Sequence, residues 1–167
     1  MKKHIVFLLF VLAGVTSQAQ GFGGAISAGY LTELDGAGGS ADLIYEFNEK
    51  WGVSTDFTFA AADSNIVRNK WTILNLNARY KVYDEFYLFA GGQWLNVNLK
   101  GKGLSDGNPL GEEFETSEDG VGFNLGTGYK YNLADNVNVF ADVKYVAIDV
   151  AELSGYIHAR LGLHFDF

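Results

Sequence analysis

The stretch Leu153-Ser-Gly-Tyr-Ile-His-Ala-Arg-Leu-Gly-Leu-His-Phe-Asp-Phe167 sorts by parity. Leu153, Gly155, Ile157, Ala159, Leu161, Leu163, Phe165 and Phe167 share one face of an extended chain, while Ser154, Tyr156, His158, Arg160, His164 and Asp166 share the other. Successive side chains of a strand point to opposite sides of its sheet, so this period of two marks a strand with one apolar and one polar face.

The same split recurs upstream. Leu43, Tyr45 and Phe47 oppose Asp42 and Glu46; Val53, Phe57 and Phe59 oppose Ser54, Asp56 and Thr58. Leu74, Leu76, Ala78, Tyr80 and Val82 oppose Asn75, Asn77, Arg79 and Lys81, and Val121, Phe123, Leu125, Tyr129 and Tyr131 oppose Asn124 and Lys130. Val137, Val139, Ala141, Val143 and Tyr145 oppose Asn138, Asp142 and Lys144. Clusters of Gly, Asn and Asp separate the segments, and past the first twenty residues no stretch has helical periodicity. The pattern predicts eight strands, Phe22 to Leu34, Gly39 to Phe47, Trp51 to Ala62, Lys70 to Val82, Phe86 to Leu99, Gly120 to Tyr131, Val137 to Ile148 and Leu153 to Phe167. In strands one and five the alternation does not identify the apolar face.

Volume decides which way the apolar faces point. An eight-stranded barrel is only just wide enough for its inward side chains. The six clear apolar faces carry too many Phe, Tyr, Trp and Leu to fit inside, whereas the opposite faces hold Gly52, Ser54, Gly122, Gly126, Gly128 and Gly162, which suit a narrow lumen. A closed sheet with a greasy exterior belongs in lipid. The expected fold is therefore all-β, an eight-stranded antiparallel up-and-down transmembrane β-barrel with outer-membrane lipid as its solvent. Connections at Asn48 to Lys50, Tyr83 to Glu85 and Asn132 to Asn136 read as short turns, and those at Asp63 to Asn69 and Lys100 to Asp119 as long loops on the other side. Tyr45, Phe47, Trp51, Tyr80, Tyr83, Tyr129, Tyr131, Phe165 and Phe167 gather near the short-turn end, as an interfacial aromatic girdle would.

At the other terminus, Lys2 and Lys3, the apolar run Ile5 to Val15 and Ser17-Gln18-Ala19 have the three-part form of a secretory signal. The apolar run is shorter than the roughly 20 residues of a spanning helix. The expected division is a cleaved signal peptide over residues 1–19 and one barrel domain over 20–167. Export would remove two lysines and take the net charge from −8 to −10. A balance that acidic argues against a nucleic-acid partner. The absence of Cys excludes a disulfide framework, a thiol nucleophile and a Cys zinc site, and three scattered His leave little for a metal; no cofactor is expected.

The inward faces are expected to carry a neutral ion-pair network, in which the acids Asp42, Glu46, Asp56, Asp142 and Asp166 balance the bases Arg79, Lys81, Lys130, Lys144 and Arg160, with His158 among them. Charges persist in an interior only when paired. A turn centred on Ala151 sets Asp142 opposite Arg160 and Lys144 opposite His158. A filled polar lumen of balanced sign suits a closed barrel better than an ion-selective pore. The excess acid lies on the long-loop side, above all in Asp106, Glu112, Glu113, Glu115, Glu118 and Asp119, which form an expected mobile surface loop anchored only by Leu104, Leu110 and Phe114. The segment Asp106 to Gly111 resembles a calcium loop but has Leu110 at its fifth position and Ser117 at its twelfth, so no EF-hand is expected.

Signal, eight alternating strands, short turns and a terminal Leu161-x-Leu163-x-Phe165-x-Phe167 together resemble the small OmpA/OmpX-type outer-membrane barrels over the whole mature chain. The resemblance implies outer-membrane localisation, and implies that Leu161, Leu163, Phe165 and Phe167 are the signal read by the barrel-assembly machinery. It also implies a monomer with a structural or surface-interaction role and an extracellular partner that the sequence does not identify. A narrow porin-like channel and a lipid-modifying enzyme are the alternatives. For the enzyme, Ser154, His158 and Asp142 can be drawn as a triad, but they fall on the lumen face and lack a nucleophile elbow, so no catalysis is expected.

Overall fold

In a computed structural model of the chain, the described residues are 21–63, 67–102 and 113–167, with side chains described at all of these except 67, 102, 113 and 114. The expected signal peptide lies outside them, as do Leu104, Asp106, Leu110, Glu112 and the side chains of Glu113 and Phe114.

The strands are β1 (Gly21–Leu31), β2 (Gly36–Glu46), β3 (Trp51–Asp63), β4 (Val67–Tyr83), β5 (Phe86–Lys102), β6 (Glu113–Ala134), β7 (Val137–Ile148) and β8 (Tyr156–Asp166). Each pairs antiparallel with the next, and β8 pairs with β1 to close a barrel. Closure leaves the membrane-facing wall without a sheet edge. Asp84 and Asn136, in the left-handed region at φ 50° and 63°, form two of the short turns, as suits side chains that tolerate that conformation.

Exposure alternates as the volume argument requires. Leu76, Phe123 and Leu161 are more than 60% exposed, while Asp56, Asn75 and Asn124 on the opposite faces of the same or neighbouring strands are below 5%. A water-soluble barrel would reverse this order. At the short-turn end Trp51 packs on Tyr80 at 4.7 Å, Tyr45 on Phe47 at 5.2 Å and Phe22 on Phe167 at 6.2 Å. Strands β1 and β5 also resolve: Ile26 and Tyr30 face out from β1, and Tyr87, Phe89, Leu95 and Val97 face in from β5. Room for two inward rings comes from glycines opposite them, because a Cβ at Gly126 would meet Phe89 and one at Gly162 would lie 2.7 Å from Phe140.

Three expectations are corrected. The stretch from Lys100 to Asp119 is not one long loop: β5 runs on to Lys102 and β6 begins at Glu113, in unbroken register from Phe86↔Tyr129 to Lys102↔Glu113. Glu115, Glu118 and Asp119 are strand residues, and only 103–112 connects the two strands. Likewise β4 starts at Val67, so the long connection expected from Asp63 shrinks to residues 64–66. What the sequence offers as loop length is mostly paired ribbon, formed by β4, β5 and β6 beyond the apolar belt. The lumen is also not polar throughout. Toward the ribbon end Leu31, Leu34, Trp71, Ile73, Leu95, Val97, Val146, Ile148, Val150 and Tyr156 are buried together as an apolar plug. The plug forms because the inward parity of β4, β5 and β7, polar at mid-barrel, turns apolar nearer that end.

Candidate functional site

Two places gather chemistry: the middle of the lumen and the ribbon. At mid-lumen β2, β3, β7 and β8 each contribute inward charge. Arg160 of β8 donates through Nε and Nη2 to the two oxygens of Asp142 at 2.9 and 2.8 Å, a bidentate fork across the β7–β8 pair. Its Nη1 donates to both oxygens of Asp42 at 3.1 Å and lies 3.8 Å from Asp56. Asp56 accepts from Asn75 at 2.8 Å and faces Lys144 Nζ at 3.6 Å, and Asn124 donates to Asn75 at 3.2 Å behind it. All five charged groups are buried. The cluster is held by registration: Asp42 sits directly opposite Asp56, and Asp142 directly opposite Arg160.

The other residues expected in the network are placed differently. Lys144 does oppose His158, but the His158 ring nitrogens have no hydrogen-bond partner among the described residues. Lys81 bonds Glu85 at 2.9 Å, and Lys130 lies 3.9 Å from Glu85 and 3.8 Å from Asp166. Arg79 lies over the Tyr87 ring at 4.1 Å. Glu46 lines the same mouth, a recess of about 40 Å³, and has no ion pair among the described residues. The single expected network is thus a buried five-residue cluster and a separate, wetter set at the short-turn mouth, because the reach of β4 and β6 toward that mouth brings Lys81 and Lys130 to Glu85 of the β4–β5 turn. Glu85 is not among the residues expected from sequence; its place in a turn gives no alternation to read. Ser154, His158 and Asp142 are not assembled as a triad, since His158 bonds neither of the others and Asp142 is occupied by Arg160.

On the ribbon Glu115 and Asp119 are tied down. Asn96 donates to Ser117 and Asp119 at 2.9 Å each, Asn98 donates to Glu115 at 3.0 Å, and Lys100 pairs with Glu115 at 2.8 Å. Lys100 and then Asn98, bonded to the same carboxylate, hold Glu115 below the ordinary carboxylate value. Arg68 pairs with Asp63 at 2.8 Å on the other side of the ribbon. Leu161 and Leu163 project outward from β8, and Phe167 is exposed, its N–H donating to the Phe22 carbonyl at 2.8 Å. Among the described residues no group of His, Cys, Asp and Glu is arranged to hold a metal ion.

The sequence matches the family described as outer membrane protein beta-barrel domain over residues 5–165. A comparison with curated proteins gave no match. Among solved structures, the fold is similar to a major outer membrane protein of Thermus thermophilus, with TM-score 0.74 and 15% identity over 88% of this chain and 98% of that one. It is similar to the N-terminal β-barrel domain of Pseudomonas aeruginosa OprF, with TM-score 0.58 and 15% identity over 90% and 100% of the two chains. It is also similar to the attachment invasion locus protein Ail of Yersinia pestis, solved with a heparin analogue, with TM-score 0.57 and 16% identity over 88% and 97%.

Proposed function

The chain belongs to the outer membrane protein β-barrel domain family, and from that premise we propose that its barrel is a closed anchor whose work is done at the cell surface by the β4–β6 ribbon. The observation that carries this reading is the double obstruction of the lumen. A solute would have to part the Arg160 fork and then shed its water against Trp71, Ile73 and Leu95, which are almost fully buried. The ribbon, by contrast, stands beyond the apolar belt with polar side chains on it. Short turns face the periplasm and longer strands and loops the exterior in such barrels, which sets the ribbon outside the cell.

Export by cleavage after Ala19, assembly through Leu161, Leu163, Phe165 and Phe167 by the barrel-assembly machinery, and a monomeric state complete the proposal. N-terminal sequencing of the membrane-inserted protein should begin at Gln20. The decisive experiment replaces residues 98–117 with an Asn-Gly turn, closing the hairpin on the Val97↔Glu118 pair. Outer-membrane insertion and the heat-dependent gel shift should persist, while adhesion, envelope integrity or lipid composition, whichever the deletion strain disturbs, should not be restored. Full complementation would place function in the barrel. Steady single-channel currents that the replacement abolishes would favour the channel.

A further inference from the structure

The recess at the short-turn mouth, at the end of the barrel away from the ribbon, has about 40 Å³ of space among Glu46, Gly52, Arg79, Lys81, Glu85 and Lys130. Gly52 keeps it open. It lies directly opposite Glu46 on one side and Arg79 on the other, and a Cβ there would come within 3.6 Å of Glu46 Cγ.

Much of the charge around the recess is matched. Lys81 bonds Glu85 at 2.9 Å, and Glu49 and Lys50 offset each other in the exposed turn. Lys130 lies 3.9 Å from Glu85 and 3.8 Å from Asp166, too far for a hydrogen bond to either, so its ammonium has donors to spare. Glu46 and Arg79 are left over, with no ion pair or side-chain hydrogen bond among the described residues. They do not close on each other because Arg79 is held elsewhere. Its guanidinium lies over the Tyr87 ring at 4.1 Å, and the Tyr87 hydroxyl donates to Asp142 at 3.4 Å. Tyr87 is on β5 and Glu46 on β2, on opposite sides of Arg79, so the ring draws the guanidinium away from Glu46. A guanidinium over an aromatic face keeps its edge N–H groups free, and that fork matches two oxygens of one oxyanion. Glu46, as a carboxylate, accepts and does not donate, so it calls for a donor on the same ligand.

We propose that the recess binds a phosphate group that keeps an O–H. The Arg79 fork donates to two of its oxygens, Lys130 adds charge, and Glu46 accepts the hydrogen bond from its hydroxyl. The Cα atoms of Glu46 and Arg79 are two inter-strand spacings apart, about 10 Å, which leaves room for one tetrahedral anion between their side chains. Hydrogen phosphate suits both ends. Sulfate has no proton to offer at neutral pH and would set its oxygens against the Glu46 carboxylate. The site goes beyond the surface-interaction reading and does not depend on it.

The test is equilibrium dialysis of radioactive inorganic phosphate against the full mature protein, folded in maltoside micelles that contain no phosphate of their own. Binding at pH 7 should saturate at one phosphate per chain, with sulfate at least about tenfold weaker, the order expected for one unsatisfied buried contact. Arg79→Gln should weaken phosphate binding at least about tenfold, since a charge-assisted bidentate contact is lost. Glu46→Gln should erase the preference over sulfate, because the amide donates as well as accepts. Each variant is checked for the heat-dependent gel shift; should Arg79→Gln fail it, Arg79→Lys, which keeps the charge and loses the fork, should still weaken binding several-fold. Competition by glycerol 3-phosphate at pH 6, where about half of a monoester keeps its second proton, would support a monoester end as the source, and its absence the free ion. No saturable binding, equal binding of sulfate by the unaltered protein, or full phosphate binding without the Arg79 fork would each overturn the proposal.

Discussion

Removing Arg160 should be the most damaging single change in the lumen. Its guanidinium contacts Asp142 through two hydrogen bonds and Asp42 through two more, and lies 3.8 Å from Asp56. Arg160→Met would leave three buried carboxylates facing Lys144 alone. Breaking a buried pair from one side typically costs about 3 to 5 kcal/mol, since the remaining charge keeps its desolvation penalty without its partner. Asp142→Asn in the Arg160→Met background removes one stranded charge, and Asp42→Asn removes a second. The triple variant should therefore recover much of the loss. Urea unfolding in lipid vesicles, followed by tryptophan fluorescence, gives each free energy, and the Arg160/Asp142 cycle should show a coupling of at least about 1 kcal/mol. Additivity within about 0.5 kcal/mol would mean that the fork does not form and that these strands are out of the described register.

Three further outcomes are expected. Trp71, packed edge-on against Tyr156 at 5.1 Å inside the plug, should cost about 3 to 5 kcal/mol when cut to Ala, read from the same urea titration. Ala151 and Glu152 form the β7–β8 turn in the left-handed region at φ 50° and 68°, so Glu152→Gly should stabilise the barrel by up to about 1 kcal/mol in that assay. On the ribbon, an NMR titration should find Glu115 ionising below the ordinary carboxylate value, and Lys100→Ala should move its midpoint upward, since the ammonium favours the charged form.

The barrel is legible in the sequence wherever the two environments differ. In β3 and β8 the outward residues meet lipid and the inward ones meet the polar cluster, so alternation is clean. In β1 the Gly and Ala content flattens the contrast, and in β5 Tyr87, Phe89, Leu95 and Val97 fill the inside while Leu88 and Trp94 face lipid, so both faces are apolar. The plug is hidden because Trp71 and Ile73 share parity with Asn75 and Asn77, and parity says nothing of how far along the strand polarity changes. The ribbon reads as loop for a related reason. Beyond the lipid a strand has no apolar face, and the pairs that identify it, such as Asn96 with Asp119 and Asn98 with Glu115, emerge only once the register is known. Asp142 and Arg160 are readable in advance because a connection centred on Ala151 gives the pairing that β7 and β8 adopt, although the Val150↔Leu153 bridge at its tip is offset from that register by one residue.

The reach of Arg160 bears on the order of assembly. One guanidinium on the last strand satisfies a carboxylate on the second and another on the seventh. A nascent sheet of seven strands would hold Asp42, Asp56 and Asp142 with Lys144 as their only fixed countercharge, and could not exclude water from them. Arrival of β8 brings the second cation to the three carboxylates and meets β1 in the same movement. Zipping of the wall and drying of its contents are thereby made one event, which penalises half-inserted species and leaves the finished cylinder as the state in which each carboxylate in its middle faces a cation.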